Sequence, residues 1–536
     1  MKLLKAACCT LLASACLFAQ EQPAAGDAAD KEKKIADRIE ALQAAMAEQQ
    51  KQIEQLRTEL QQQKAAAAKP QLVNASLNTT GTSNTTVNQS DADKPKTSPL
   101  SIRIGGTEFT PGGFVDLNNI FRTTNTGSVV STNWSTIPFS NNANGHLTEF
   151  RSSAQYSRWN LKLTGKYGDN DLAGMIEGDF NGNDANNVFV TTNPHTFRLR
   201  LYYLQLKRHE WEFTAGQAWS LITPNKVGTS ATPGDLDVTM STDGNIHVGV
   251  MYSRDAQFRV GVKPNEHFSW ALSVENPQQI TTAQVALPSG FTTVLGNQAD
   301  GTATPGVPNL FPDIMTKLAF DTNPKGHNVH FEAGAMATSA QIAVPQPGST
   351  TAFVKNSAIG GGGFGGINIA LTKDFRILAH GLYGPGVGRY HGGFGPQFVV
   401  APIVQGPGAF IAEPSMVHSG AGFGGFEWNA NAKTQIGAYY GASYYQRNAF
   451  PDVTSTAATK PIIGFGGVNS ANSNNKSIQE GSFILAQTLW KNPQYGAVVI
   501  INDASYASRA PWFHTAVQPK NAHMFMDHLD LRYVLP

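Results

Sequence analysis

The sequence predicts an all-β chain, a transmembrane antiparallel β-barrel of about 16 strands, with an N-terminal α-helical coiled coil. Three observations lead there. From residue 102 onward apolar residues recur with period two, so each segment has one apolar face and one polar or small face. The connections between these segments alternate between tight turns and long loops. Charged residues make up only 15% of the 536 and Gly is abundant at 52, yet past residue 20 no stretch approaches the roughly 18 apolar residues of a spanning helix. A polytopic helical membrane protein is thereby excluded. The net charge of +1 argues against a nucleic-acid partner, which would ask for a basic excess.

Residues 1–19 have the form of a signal peptide: Lys2 and Lys5, an apolar stretch over 6–18, then Ala19 before a polar run. All three cysteines, Cys8, Cys9 and Cys16, fall inside it, so no disulfide holds the mature chain. The rival reading is a lipoprotein signal over 13–16, with Cys16 acylated.

Residues 20–64 carry one helix. Ile35, Ile39, Leu42, Met46, Ile53, Leu56 and Leu60 step by fours and threes along the seam of a heptad repeat, with Gln49 and Gln63 at two seam positions. The other faces are Ala, Gln, Glu, Lys and Arg, good helix formers. Such a stripe has nothing to bury against in one helix, so the spacing predicts a self-associating coiled coil. Residues 65–101 then turn to Ala, Asn, Thr, Ser and Gln with Pro70, Pro95 and Pro99, a low-complexity linker with little to bury.

Residues 102–536 form the barrel domain. Strands are expected near 112–122, 149–166, 171–181, 196–207, 211–219, 248–263, 267–276, 313–323, 326–338, 358–372, 374–383, 416–429, 432–446, 477–490, 494–506 and 522–535. Leu529, Leu531, Tyr533 and Leu535 alternating with His528, Asp530, Arg532 and Val534 show the pattern plainly. Reading Arg254-Asp255 as a turn would split 248–263; keeping it whole preserves the even count and the turn alternation, with 18 strands as the fallback. A soluble sandwich or propeller also alternates, but neither confines tight turns to one end. In lipid every backbone N–H and C=O needs a partner, and a closed barrel supplies them without an edge. Trp159, Trp428, Tyr439, Tyr440, Tyr444, Tyr445, Trp490, Tyr495 and Tyr533 near strand ends suit interfacial girdles.

A barrel of this size is wide enough for an aqueous channel rather than a packed core. The inward polar set then carries the function: Arg158, Lys162, Arg198, Arg200, Arg259, Lys317, Arg376 and Arg532, opposed by Glu177, Asp179, Glu275, Glu332 and Asp530. Arg198 and Arg200 stand two apart on one strand and point the same way, offering forked donors to a carboxylate or phosphate. The alternative is that they form structural salt bridges with Glu177 and Asp179. The loop after the fifth strand, 220–245, contains Leu221, Ile222, Val227, Leu236 and Met240, enough apolar content to fold inward. As an outer cap it would instead present Asp235, Asp237 and Asp243 to solvent.

The stretches 149–160 (EFRSSAQYSRWN), 176–180 (IEGDF), 197–202 (FRLRLY), 214–220 (TAGQAWS), 254–259 (RDAQFR) and 275–277 (ENP) resemble bacterial porins of the DcaP-like outer-membrane family. The resemblance implies a signal peptide, a coiled coil projecting into the periplasm and a 16-stranded homotrimeric barrel in outer-membrane lipid. It further implies uptake of small, often anionic solutes such as dicarboxylates, with Arg158, Glu177, Arg198 and Arg200 lining the pore. No cofactor and no metal is expected, since the 13 His residues show no zinc-ligand spacing. Gly384, Gly386 and Gly388 do not sit between a strand and a helix, so they make no phosphate loop. The sequence therefore predicts a passive porin and no enzyme. Two other classes stay open: a structural or adhesive protein linking envelope layers through its coiled coil, and an outer-membrane hydrolase.

Overall fold

The computed structural model describes Lys51 and residues 98–536, except 129, 183–195, 281–284, 290–308, 346–351 and 407–408. The signal peptide, the linker up to residue 97 and the coiled-coil seam lie outside the described residues; Lys51 alone is helical and exposed. From residue 102 the alternating pattern becomes strands: β1 (Thr107–Arg122), β2 (Arg158–Tyr167), β3 (Asn170–Asp179), β4 (Arg198–Arg208), β5 (Trp211–Trp219), β6 (Arg254–Val262), β7 (Phe268–Glu275) and β8 (Asp313–Thr322). The second half adds β9 (Val329–Pro345), β10 (Phe353–Ala370), β11 (Phe375–Pro385), β12 (His418–Asn429), β13 (Thr434–Tyr445), β14 (Asn475–Asn492), β15 (Gly496–Pro511) and β16 (Ala522–Val534).

Each strand pairs antiparallel with the next, and β16 pairs with β1 from Phe114↔Val534 to Arg122↔Met526. The ring is therefore closed and has no free edge. A short segment, Glu149–Ser153, extends β2 along the upper half of β1, while β2 itself takes the lower half. Gly113 stands at that switch with φ 130, and a Cβ there would collide with the Arg158 carbonyl. Only glycine fits the turn of the strand at this point.

All sixteen expected strands are present, at an even count, with tight turns at one end. Several boundaries differ: the strand expected over 149–166 is interrupted at 154–157, and β15 runs on to Pro511. Residues 248–253 do not continue β6, which begins at Arg254; they belong to a long inward loop over 220–253. β9 and β10 run to Pro345 and from Phe353, so the expected long loop there is short. Small hairpins, Phe398–Gly406 with Ala409–Met416 and Asn448–Pro451 with Ile462–Phe465, occupy loops expected to be irregular.

Burial follows the alternation. On β16, Ala522, Met524, Met526, His528, Asp530 and Arg532 are buried, while His523, Phe525, Leu529, Leu531 and Tyr533 are exposed. Exposed aromatics ring both ends: Tyr167, Trp211, Trp428, Trp490, Tyr495 and Tyr533 at the turn end, Tyr383, Tyr440, Tyr444 and Tyr506 at the loop end. Tyr439 and Tyr445 were expected among them but point inward and are buried. Period two forces that outcome, since each follows or precedes an outward tyrosine on the same strand.

The interior also departs from the expectation of an open aqueous bore. Loop 123–148 brings Trp134, Ile137 and Phe139 against Tyr445, Ile478, Met524 and Met526 of the wall. Met240 and Val250 of the inward loop pack on Leu378, Phe423, Tyr439, Ile484, Val499 and Ile501. Leu221, Ile222 and Met251 of that loop also pack on Met315, Met336, Phe364 and Leu382, and Ala231 and Leu236 pack on Leu201, Tyr203 and Ala218. The arginine-lined space that is left is walled by β1–β6 and β16.

Candidate functional site: an arginine pocket against an inward loop

The loop 220–253 descends from the long-loop end nearly to the tight turns and returns. Its tip reaches Asp321, whose carboxylate accepts from Gly228 N at 2.9 Å, and the Lys226 carbonyl accepts from Asn328 in the turn after β8. Carboxylates on five wall strands accept its backbone N–H groups. Glu275 takes Leu221 N at 2.9 Å, Glu332 takes Asn225 N at 3.1 Å, Asp503 takes Thr242 N at 2.9 Å and Glu480 takes Val248 N at 2.8 Å, beside Asp321. Such hydrogen bonds contribute about 0.5–1.5 kcal/mol each, and more where the acceptor is charged. The Lys317 ammonium adds donors to the Thr223 carbonyl at 2.8 Å and to Glu332 at 3.0 Å.

Two arginines expected to line a pore fasten this loop instead. Arg259 is buried and donates to the carbonyls of Trp219 at 2.6 Å and Thr229 at 3.2 Å. Arg376 bridges Glu427 at 2.7 Å and Asp237 of the loop at 2.9 Å. The Arg376 guanidinium acts against burial and holds the Asp237 carboxyl below its usual range. Asp237 and Asp243 are buried, so the loop is an inward element and no solvent-facing cap. Asp235 at its tip is half-buried, and burial first, then Glu212, raises its carboxyl to about 6.

Across from the loop backbone at 238–246, the wall gathers Arg158, Arg198, Arg200, Arg254 and Arg532 around a cavity of about 60 Å³, with Phe114, Tyr156, Trp219 and Asp179 completing it. Arg198 forks onto Asp179 at 2.7 Å, and Arg200 reaches both Asp179 and Glu177 at 2.9 Å. The structural salt bridges considered from sequence therefore exist, and they sit at the wall of the cavity rather than replacing it. Arg532 is held by Asp116 at 3.2 Å and Asp530 at 3.0 Å.

Arg158 and Arg532 flank the Phe114 ring, at 5.3 and 4.3 Å from its centroid, and Arg254 lies 5.2 Å from that of Trp219. Arg158 has its nearest carboxylate, Glu177, at 3.8 Å, and its Nε and Nη1 are buried without a hydrogen-bond partner. Arg254 makes no ion pair with a described residue, and its Nη1 is likewise unpartnered. Lys162 stands on the same face of β2 as Arg158, exposed toward the turn end and without a described ion pair.

Above this cavity opens a vestibule of about 960 Å³. Tyr252 and Arg254 line both spaces, so the vestibule leads onto the arginine pocket. Its far wall comes from a second inward loop, where Arg389 reaches Asp255 at 2.8 Å and the Tyr390 carbonyl accepts from Tyr252 N at 2.8 Å.

Arg254 was missed from sequence because its neighbours admitted a turn. Asp321, Glu480 and Asp503 were missed because nothing local marks an inward carboxylate as a loop clasp. Among the described residues no group of three His, Cys, Asp or Glu is placed to hold a metal. A Ser419–His391 contact at 3.1 Å exists, but both residues are fully buried and Tyr445, no carboxylate, meets the other ring nitrogen. A hydrolytic substrate could not reach that serine.

A closed 16-stranded barrel with an apolar outer band, aromatic girdles and a charged interior is a transmembrane β-barrel of the outer-membrane type. Among solved structures the chain is similar to the outer membrane channel DcaP of Acinetobacter baumannii, with a TM-score of 0.55 at 15% identity over 81% of this chain and 99% of that one. The two share the fold, as the sequence resemblance implied. More distant likenesses are to Pseudomonas putida OprB (TM-score 0.43, 10% identity, 79% of this chain and 94% of that one) and an anion-selective porin from Comamonas acidovorans (0.41, 8%, 80% and 100%). No protein-family model and no curated protein matches the chain.

Two outcomes follow for the loop. Asp503→Ala leaves the Thr242 N–H and Ser241 hydroxyl without their acceptor, at a cost of about 1–3 kcal/mol; single-channel recording is expected to show larger or noisier conductance, and an unchanged trace would mean the clasp does not hold the loop. The second concerns acid. Burial lowers the His247 imidazole from 6.5 to about 4, against a hydrogen bond to the Val248 carbonyl. The unfolded loop therefore binds more protons between those values, so the packed loop loses stability as pH falls from 6.5 to about 4. Gating noise should rise over that window, and His247→Gln should flatten the change; an identical pH profile in the variant would remove His247 from the account.

Proposed function

We propose that the protein is an outer-membrane porin through which small hydrophilic, anionic solutes diffuse passively. The observation that carries this reading is the group of five arginines lining the cavity between wall and loop, among which Arg158 and Arg254 keep guanidinium N–H groups with no protein acceptor. Unsatisfied buried donors are costly, and a carboxylate or phosphate passing through supplies the acceptors in a forked geometry. Low-dielectric walls focus the field of these groups on whatever enters from the vestibule. Arg198 and Arg200 hold Asp179 and Glu177 in place along the same wall, and Lys162 extends the positive lining toward the turn end. Arg259 and Arg376 act indirectly, by fixing the loop that narrows the passage.

Association into a homotrimer belongs to the same proposal. On the outer face, amid Leu117, Phe525 and Leu529, Asn502 donates to Asp527 at 2.7 Å and Ser152 donates to Asn119 at 2.9 Å. Polar pairs at this depth are costly against lipid and are better accommodated against a second copy. The face of β15, β16 and β1 is therefore the contact surface, and the coiled coil over 31–63, in the periplasm, reinforces the assembly.

Planar-bilayer reversal potentials under a salt gradient test the channel. Wild type is expected to prefer anions, and Arg158→Ala/Arg254→Ala to lower that preference at least about twofold; absent conductance, cation preference, or an unmoved reversal potential each contradict the reading. For the assembly, Asp527→Lys is expected to shift native mass spectra from trimer to monomer, and intact trimers would refute the assigned face.

A further inference from the structure

Where β13, β14 and β15 leave the lipid at the long-loop end, exposed cationic side chains gather around a tryptophan that is half-buried against the apolar cluster of Tyr445 and Phe465 and lies beside Gly466. Trp512 lies just beyond β15, its indole N–H fixed on the Tyr445 carbonyl at 2.9 Å. The Arg447 guanidinium sits 5.1 Å from its ring centroid and the Lys476 ammonium 5.3 Å. Tyr444 meets the same ring edge-on at 6.2 Å. Arg447 and Lys476 are exposed, and neither pairs with a carboxylate among the described residues. The adjoining loop 512–521 adds exposed His514 and Lys520.

Two cations drawn to one indole repel each other, and an anion lying between them removes that repulsion. The patch is continuous with lipid-facing residues on the same strands: Tyr440 on β13, Phe483 and Leu485 on β14, all exposed. A molecule bound here therefore has an anionic head at the rim and an apolar body below. We infer that Arg447, Lys476 and Trp512 form a docking site for the phosphorylated headgroup of an outer-leaflet glycolipid, whose acyl chains lie along the outer faces of β13 and β14. The inference rests on the outer-membrane reading above, because tight turns at the opposite end place this rim in the outer leaflet. Basic side chains at a membrane surface bind anionic lipid additively, and the aromatic ring holds them at headgroup level.

The test uses the full-length protein in neutral detergent with bisphosphorylated lipid A, its dephosphorylated form and inorganic phosphate as probes, read by native mass spectrometry. Wild type is expected to retain the bisphosphorylated lipid, to release the dephosphorylated one, and to keep the lipid in excess inorganic phosphate. Arg447→Gln/Lys476→Gln is expected to weaken retention by about tenfold or more, while Arg447→Lys/Lys476→Arg restores it. Heat-modifiable gel migration and conductance of the Gln pair, both expected to match wild type, show that the barrel has folded. Equal retention of both lipid forms, or wild-type retention by the Gln pair, overturns the site; displacement by inorganic phosphate would make it a site for a free anion and overturn the lipid assignment. A wild-type barrel that binds lipid but does not conduct would refute the porin reading alone.

Discussion

Backbone N–H groups carried into a protein interior must find acceptors, and here the barrel wall supplies them as carboxylates. Glu275, Asp321, Glu332, Glu480 and Asp503 stand on five different strands and each receives an amide of the loop 220–253. Neutral side chains in their place would leave amides orphaned or the loop free to leave. The position of that loop in turn decides which side of the barrel is packed and which side is open. Its apolar residues close on β4–β5 and on β7–β15, and its backbone at 238–246 becomes one wall of the arginine pocket. The carboxyl groups thus do by hydrogen bonding what a continuous apolar core does in a soluble domain. They also leave the opposite wall, with its arginines, facing open space.

The near-neutral net charge of the chain conceals this sorting. Acidic residues cluster where the loop needs acceptors, and guanidinium groups cluster where β1–β6 meet the cavity. Paired carboxylates at Asp116, Glu177, Asp179 and Asp530 hold the arginines rigid without saturating all of them. A guanidinium has five donors in a fixed fork, so two carboxylates can orient Arg200 while Arg158, at 3.8 Å from its own, keeps donors to spare. Orientation and availability are separate properties, met by different members of one cluster.

The strand count and the turn polarity were legible because lipid imposes them locally: most strands alternate an apolar with a polar face, and each pair of strands returns tightly at the same end. Tertiary packing was not legible in the same way. On β15, Val498 and Ile500 face out while Val499 and Ile501 face in, both sets apolar because the inner face is covered by the loop. Such a strand gives no sign of which parity points inward, and Asp503 loses its meaning with it. Residues 248–253 look like strand for a related reason, since apolar loop residues buried inside a barrel imitate the apolar face of a wall. The arginines of β2 and β4 were found because Arg158 alternates with apolar neighbours and Arg198 and Arg200 stand two apart. The inward parity of β4 nevertheless changes just after Arg200, where both Arg200 and Leu201 are buried. Arg254 was not, because it sits on the first residue of β6, where a chain emerging from the loop becomes sheet.

The seam between β1 and β16 has a further consequence, in the order of assembly. Asp116 and Arg532 stand 416 positions apart in the chain and meet only when the final strand is in place. Non-local pairings of this kind come late and slowly in folding. Arg532 is at once the bolt of that seam and a wall of the arginine pocket. A nascent barrel still open along this edge therefore has neither a complete pocket nor a closed ring, and the arginine cluster is completed in the same step that closes the wall.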